Sequence, residues 1–583
     1  MRGSTGPRAD ARRRRRVEAA RFLAAAVVLA VLAALIVPLA LPNRAGITRA
    51  VAGSRRIVVV LAPSASRPAG QAVRRVLTPA LPQATVTIGP GASTVPVPRS
   101  YFGISTEYWS LPLFEHNTPV FERVLALLRA PGDGPLVLRI GGDSADQSVW
   151  RPTWKHMPDW AYALTPGYLK RLRALVKRDR VKLIVDLNLL TDTPVTAAAW
   201  ARAAETALPR GSIVGFEVGN EPDLYNRRYW VGMVASSPFH SSAMPLELTP
   251  DTYVQDFADD ARVLGENAPD IPLVGPAVAH PRVGLPFITT LIEAERPELG
   301  AVSAHLYPFS QCIRNPRSSS YPTVPRLLSR HAVAAFNTDI VDAITVAHAA
   351  GLKFRLTEFN SVTCGGKPGV SNTFATALWA PDALFTAMRT GADGANLHVR
   401  ADKINGPFAI ARGGLDARPL LYGLLLFNRT LGPQARLVRL HLSAPSSLDL
   451  SAWAVQIRGK ILHVLLIDKG RRTVHVDLHL PTSAPASVER LLAPSPYSRG
   501  NVTLAGQQLN YEANWTGVKR IEPVIAGARG YAVVVPRRSA ALLSVALEPP
   551  HRTRRRAVSE HHRRATVAQD AVLAVRLNRS RKH

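Results

Sequence analysis

Ile213-Val214-Gly215-Phe216-Glu217-Val218-Gly219-Asn220-Glu221-Pro222 is a short apolar run that ends on a glycine and presents a carboxylate just before a proline. Its length suits a buried strand better than a helix. Far downstream, Lys353-Phe354-Arg355-Leu356-Thr357-Glu358 also ends in a glutamate. Two carboxylates at strand ends point to glycosidic bond chemistry. A retaining glycosidase needs one carboxyl as acid/base and a second as nucleophile, roughly 5–5.5 Å apart across the scissile bond. Local sequence does not carry that distance, so the fold has to supply it.

The surrounding periodicity predicts such a fold. Apolar runs at Tyr101–Tyr108, Leu136–Gly141, Lys182–Leu189, Ile213–Gly219, Pro272–Val278, Val302–Tyr307, Lys353–Glu358 and Ala395–Val399 read as strands. Amphipathic stretches at Pro119–Arg129, Pro166–Arg178, Ala197–Ala207, Pro250–Glu266 and Thr373–Arg389 read as the helices that parallel strands need between them. The class is α/β, a (β/α)8 TIM barrel over 101–434. Glu221 then follows strand four and Glu358 ends strand seven, both on the C-terminal rim where such barrels build their sites.

Local chemistry adds candidate ligands of a terminal sugar. Tyr307 can donate a hydrogen bond to the Glu358 carboxylate, and His305, Asp143, Glu107 and His398 sit at predicted strand ends within reach of ring hydroxyls. Gly365 and Gly366 follow strand seven, where bare backbone N–H groups can approach an anion. Plainer readings compete. Asn-Glu-Pro alone suits a helix start, buried polar side chains are commonly structural, and a double glycine is by default a turn.

Several motifs occur in order along most of Tyr101 to Gly432. They are Phe102-Gly103-Ile104-Ser105-Thr106-Glu107-Tyr108, Leu138-Arg139-Ile140-Gly141-Gly142-Asp143-Ser144-Ala145-Asp146, Phe216-Glu217-Val218-Gly219-Asn220-Glu221-Pro222-Asp223-Leu224-Tyr225, His305-Leu306-Tyr307-Pro308, and Glu358-Phe359-Asn360-Ser361 leading to Cys364-Gly365-Gly366. The set resembles glycoside hydrolase family 79, which includes β-glucuronidases and heparanase, within the clan of retaining barrel glycosidases. The resemblance implies Glu221 as acid/base, Glu358 as nucleophile and Asn220 facing the sugar 2-hydroxyl. It also implies a uronate carboxylate bound by the Gly365-Gly366 loop and by a tyrosine after strand eight. Here the nearest aromatic after that strand is Phe408, which has no hydroxyl, while Lys367 beside the glycines offers positive charge.

The remainder of the chain reads as flanking parts. Over 435–549, short alternating runs at Ala452–Ile457, Ile461–Ile467, Thr473–Leu480, Tyr531–Val535 and Ala540–Leu547 predict an antiparallel β-sandwich. Ile57–Leu61 and Thr85–Ile88, within a 42–100 linker, are candidate additional strands of it. Arg12 to Arg16, in a basic cytoplasmic segment 1–21, precede an apolar stretch over 22–41. That pattern predicts a transmembrane helix acting as a signal anchor, or else a cleaved signal peptide. Either places the barrel outside the cytoplasm, membrane-tethered or secreted. Cys312 and Cys364 follow strands six and seven on the same rim, as a disulfide or as two buried thiols, and their spacing fits no zinc site.

Much of the formal net charge of +30 sits in the arginine run and in a basic tail at 550–583. The tail is expected to be disordered and to meet an anionic envelope or solvent. No nucleic-acid motif, phosphate loop, metal site or other cofactor is implied. The expectation is an exported retaining β-glycosidase, first a β-glucuronidase. The alternatives are a barrel glycosidase for a neutral sugar or arabinoside, and a glycan-binding protein of the cell envelope with a vestigial site.

Overall fold

The structure, a computed structural model, describes residues 81–151, 157–237 and 248–547. The chain divides into two units, Met1–Leu77 and Thr78–His583. The first lies outside the described residues, as do the apolar stretch 22–41, Ile57–Leu61 and the basic tail; everything below belongs to the second. Among the described residues, no helix is long and apolar enough to cross a membrane.

Eight parallel strands close into a barrel in sequence order. They are Phe102–Glu107, Val137–Gly141, Lys182–Leu187, Ile213–Val218, Leu273–Val278, Leu299–Leu306, Lys353–Phe359 and Gly394–His398. The eighth pairs with the first, Ala395 opposite Phe102 and His398 opposite Ser105, which closes the ring. The strands are apolar because helices cover their outer faces and side chains fill the interior. Crossover helices repeatedly open on Thr-Pro. The Thr165, Thr193 and Thr249 hydroxyls each accept an otherwise orphaned N–H, from Tyr168, Thr196 and Thr252, and proline follows each at the first helical position.

The β-sandwich differs from a purely antiparallel one. Its four-stranded sheet runs His441–Ser443, Gln83–Thr87, Val474–His479, Tyr531–Val535. Gln83–Thr87, which the chain makes before the barrel, is parallel to Val474–His479 and antiparallel to His441–Ser443. No hairpin joins it to Val474–His479, so nothing forces that pair to be antiparallel. Thr94–Pro96 joins the larger sheet beside Arg436–Val438. Both segments flanking the barrel are thus stitched into the sandwich.

Barrel and sandwich also share one hydrophobic core, which runs from Phe385 and Phe427 to Trp453, Leu465 and Leu542. Helix Pro419–Thr430 lies inside it and is buried at nearly every position, so no amphipathic period betrays it in the sequence. At this seam Asp382 accepts hydrogen bonds from Ser451 Oγ (2.8 Å), Trp453 Nε1 (2.8 Å) and Lys469 Nζ (2.7 Å). The Lys469 and Asp382 side chains are both buried.

Candidate active site

The centre of the barrel mouth is Arg139, a lone charge in the apolar second strand and fully buried. Its Nε donates to Glu217 Oε2 (2.6 Å), Nη1 to Glu358 Oε1 (2.6 Å), and Nη2 to Asp186 Oδ2 (2.7 Å) and Asn220 Oδ1 (2.9 Å). One guanidinium therefore orients the ends of strands three, four and seven. Asp186 and Glu217 face each other in register on strands three and four. Burial, together with repulsion from Glu217 and Asp146, holds Asp186 well above the usual carboxylate range despite the pull of Arg139.

Glu358 receives a second hydrogen bond on its other oxygen, from the Tyr307 hydroxyl (2.7 Å). His398 Nδ1 stands 3.2 Å from Glu358 Oε1. Burial alone would raise the pKa of Glu358, but His398, His305 and Arg139 together with the Tyr307 hydrogen bond outweigh it and bring it down to about 2. Glu358 is thus an oriented carboxylate that stays ionised.

Glu221 lies across from it. One oxygen of Glu221, one of Glu358 and one ring nitrogen of His305 all lie within 4.8 Å of one another. Glu221 adopts a left-handed backbone conformation (φ 54°), and its N–H donates to the Ala277 carbonyl (3.0 Å). His305 Nδ1 is hydrogen-bonded to Glu221 Oε1 (2.9 Å). Burial disfavours a charged His305, yet Glu358 and Glu221 outweigh it and raise its pKa.

The other candidate ligands ring this pair. Glu107 accepts from the Ser144 N–H (2.8 Å) and stands 3.6 Å from His398 Nε2. Asp143 is closer to solvent, with 43% of its side chain exposed, and lies 3.4 Å from Arg400 Nη1. Its position sunk in the mouth, followed by repulsion from Glu107, Glu221 and Glu358, raises its pKa; the exposure moderates the first of these causes. Asn220 spends its carbonyl on Arg139 and turns its amide toward Asp143 (3.4 Å). Its backbone N–H donates to Asp146 Oδ2 (3.1 Å), which also accepts from the Tyr225 hydroxyl (2.6 Å). Glu107, Asp143, Asn220, Glu221, His305, Tyr307, Glu358 and His398 therefore converge on one mouth.

Gly365 and Gly366 lie on an adjoining loop. Both have positive φ, at 79° and 86°, and a Cβ on either would collide with Lys403 or with Asn405 and Ser371. The Gly366 N–H already donates to the Thr363 carbonyl (3.4 Å). Lys367 is turned onto the Tyr321 ring, 3.6 Å from its centroid. Cys312 and Cys364 are joined as a disulfide, Cα–Cα 6.0 Å, beside the parallel pair Phe309–Ser310 and Val362–Thr363. Phe408 is a core residue, buried edge-on against Phe114 with ring centroids 5.6 Å apart.

Arg139, Asp186, Glu217, Asp146 and Arg400 are functional neighbours that motif reading passes over. The signal for the first three was present: a charge in the interior of each of three largely apolar strands has to point into the barrel and find a partner there. Arg400 directly follows strand eight and reaches both Glu107 and Asp143 (3.4 Å each).

Residues 452–542 match the family model for the glycosyl hydrolase family 79 C-terminal beta domain. That segment therefore carries the C-terminal beta domain of glycoside hydrolase family 79. The structure of a 4-O-α-L-rhamnosyl-β-D-glucuronidase from Fusarium oxysporum 12S is similar to this chain at 16% identity and TM-score 0.63, covering 79% of this chain and all of that one. A family 51 α-L-arabinofuranosidase from Bifidobacterium longum is similar at 15% identity and TM-score 0.57, covering 80% and all of its own chain. CelM2, a bifunctional glucanase-xylanase from a metagenome library, reaches 14% and 0.52 with the same coverages. At these identities the likeness concerns the fold. No curated protein matches the sequence significantly. The matched domain and the fold are both ones that glycoside hydrolases carry.

Proposed function

We propose that the protein is a retaining β-glycosidase acting by double displacement, with β-glucuronidase activity first. The observation that carries the mechanism is the pairing of Glu221 and Glu358, with carboxylate oxygens within 4.8 Å. That approach is nearer the roughly 5–5.5 Å of a nucleophile and acid/base pair than the about 6.5–9.5 Å of an inverting pair, which supports retention. Glu358 attacks the anomeric carbon while Glu221 passes a proton to the departing oxygen, and Glu221 then takes a proton from the water that releases the sugar. Arg139 and Tyr307 fix the attacking carboxylate, and the Asn220 amide is turned to meet the 2-hydroxyl.

The glucuronide preference rests on the family 79 C-terminal beta domain, on the glucuronidase among the similar structures and on Arg400, a cation at the mouth. With Phe408 buried in the core and Lys367 on Tyr321, Arg400 takes the place of Lys367 as the source of charge for a uronate carboxylate. An arabinofuranosidase is the second reading, favoured by the recurrence of family 51 arabinofuranosidases among the similar structures. A panel of aryl glycosides decides between them: the glucuronide is expected to turn over fastest, and a faster arabinofuranoside or glucoside overturns the first choice. With a fluorinated slow substrate, Glu358→Gln is expected to form no covalent glycosyl-enzyme, whereas Glu221→Ala still reacts with good leaving groups. Equal loss for every leaving group in Glu221→Ala sinks the role division. Export, through the apolar stretch 22–41 as anchor or cleaved signal, belongs to the same proposal. Fractionation of full-length protein tests it, with the barrel expected outside the cytoplasm.

A further inference from the structure

On the β-sandwich, three turns enclose a groove of about 350 Å³ lined by Arg471, Arg537, Arg538, Tyr497, Pro494 and Pro496. Arg471 follows strand Ile461–Asp468, Arg537 and Arg538 lie in the short turn that passes from Tyr531–Val535 in one sheet to Ser539–Ala546 in the other, and Tyr497 belongs to the loop after Ala486–Leu492. The turns are held in place. The Arg537 N–H donates to Thr473 Oγ1 (3.3 Å) and the Ser539 hydroxyl to the Pro536 carbonyl (2.6 Å). In the Tyr497 loop, the Pro496 and Ser498 carbonyls accept from the Ala375 and Phe374 N–H groups (3.0 and 2.8 Å). Those are the first N–H groups of barrel helix Phe374–Thr390, which follows the Gly365-Gly366 loop.

Arg471 and Arg537 are exposed, and 55% of Tyr497 meets solvent. Ion pairs nearby use Lys469 and Arg490; among the described residues none engages Arg471, Arg537 or Arg538. Asp468 lies within electrostatic range of Arg538, but burial pushes it up to about 7, so near neutral pH it offsets only part of that charge. Three guanidinium groups around one concavity repel one another, and an anion between them relieves that repulsion. Guanidinium forks match carboxylate and sulfate oxygens, while an exposed tyrosine offers a flat face and a hydroxyl.

We propose that this groove is a second carbohydrate site, separate from the catalytic mouth, which takes an acidic sugar unit, a uronate or a sulfated sugar, of a longer glycan. The two sources share an oxyanion on a pyranose. The proposal does not depend on which sugar the barrel cleaves.

The test is calorimetric binding of a galacturonate hexasaccharide, a sulfated hexasaccharide and neutral cellohexaose to the full chain with Glu358→Gln in place, which prevents turnover. Either acidic probe is expected to bind and cellohexaose is not; the stronger of the two acidic probes identifies the source. Arg471→Ser/Arg537→Ser/Arg538→Ser is expected to weaken that binding about tenfold or more. Tyr497→Ala, which leaves the charge unchanged, should weaken it measurably. Arg173→Ser/Lys177→Ser/Arg202→Ser, which removes as many charges from exposed helix positions, should not. Equal weakening by the two triple variants reduces the effect to overall basicity and overturns the site, as does unchanged affinity in the groove variants. Turnover of a small aryl glycoside by the groove variants with Glu358 intact is expected to match the unmodified protein, so failure here is distinguishable from failure of the glycosidase reading.

Discussion

Two buried ion clusters lie in this molecule and are built on opposite terms. At the barrel–sandwich seam one carboxylate, Asp382, receives three donors, and each of its oxygens is engaged. In the barrel mouth one guanidinium, Arg139, serves three carboxylates, and Asp186 Oδ1, Glu217 Oε1 and His305 Nε2 are left without a protein partner. The seam is balanced and closed, as suits a joint. The carboxylates of the mouth outnumber its arginines, Arg139 and Arg400, so His305 is pulled toward the cationic form while Asp186 is pushed toward the neutral form. Strain of this kind is expected where a charge must change during a reaction.

The largest expected effect separates the two clusters by activity. Arg139→Lys keeps the charge but loses the fork that reaches four acceptors, and kcat is expected to fall about 10²–10³-fold, measured as turnover of an aryl glycoside. Lys469→Met strands a buried Asp382 and is expected to cost about 3–5 kcal/mol in denaturant unfolding, with kcat of the folded enzyme near that of the parent. Loss of activity in Lys469→Met without loss of stability breaks the contrast.

A smaller effect sharpens it within the mouth. Tyr307→Phe removes one hydrogen bond to the charged Glu358, about 1.5–3 kcal/mol, and glycosylation is expected to slow roughly ten- to hundredfold. The folded pKa of Glu358 is depressed, so its contribution to stability is complete above the ordinary carboxylate range and is lost only as pH falls toward about 2.

The smallest effect concerns the whole molecule. Burial raises Asp133, Asp146, Asp192 and Asp223 to about 6, and Asp260 to about 8. Each binds its proton more tightly folded than unfolded, so the stability this brings is present in acid and fades as pH rises through those values. The melting temperature is expected to decline by a few degrees from about pH 5 to about pH 8, and a flat or rising profile refutes the protonated state of these carboxyls.

What the sequence made legible follows from where information is local. Strand runs and Thr-Pro helix starts are written over a few consecutive residues, and all eight barrel strands lie within two or three residues of where the periodicity puts them. The glutamate pair was legible because each partner ends its own strand. Pro419–Thr430 was illegible because burial on every face erases the helical period, and the parallel pairing of Gln83–Thr87 depends on a partner made much later in the chain. The hub role of Arg139 is likewise non-local. Its charge is visible in Leu138-Arg139-Ile140, but the four acceptors that give it meaning come from three other strand ends.

The early strand Gln83–Thr87 has a consequence for synthesis. It leaves the ribosome before the barrel and has no edge to join until His441–Ser443 and then Val474–His479 are made, and that sheet is then completed by Tyr531–Val535. Folding cannot finish progressively from the amino end; the chain must hold its first strand in reserve while the barrel assembles and then clasp it last. A chain shortened to start at the barrel would emerge with Val474–His479 bare along one side, an edge ready to pair with a second copy of itself.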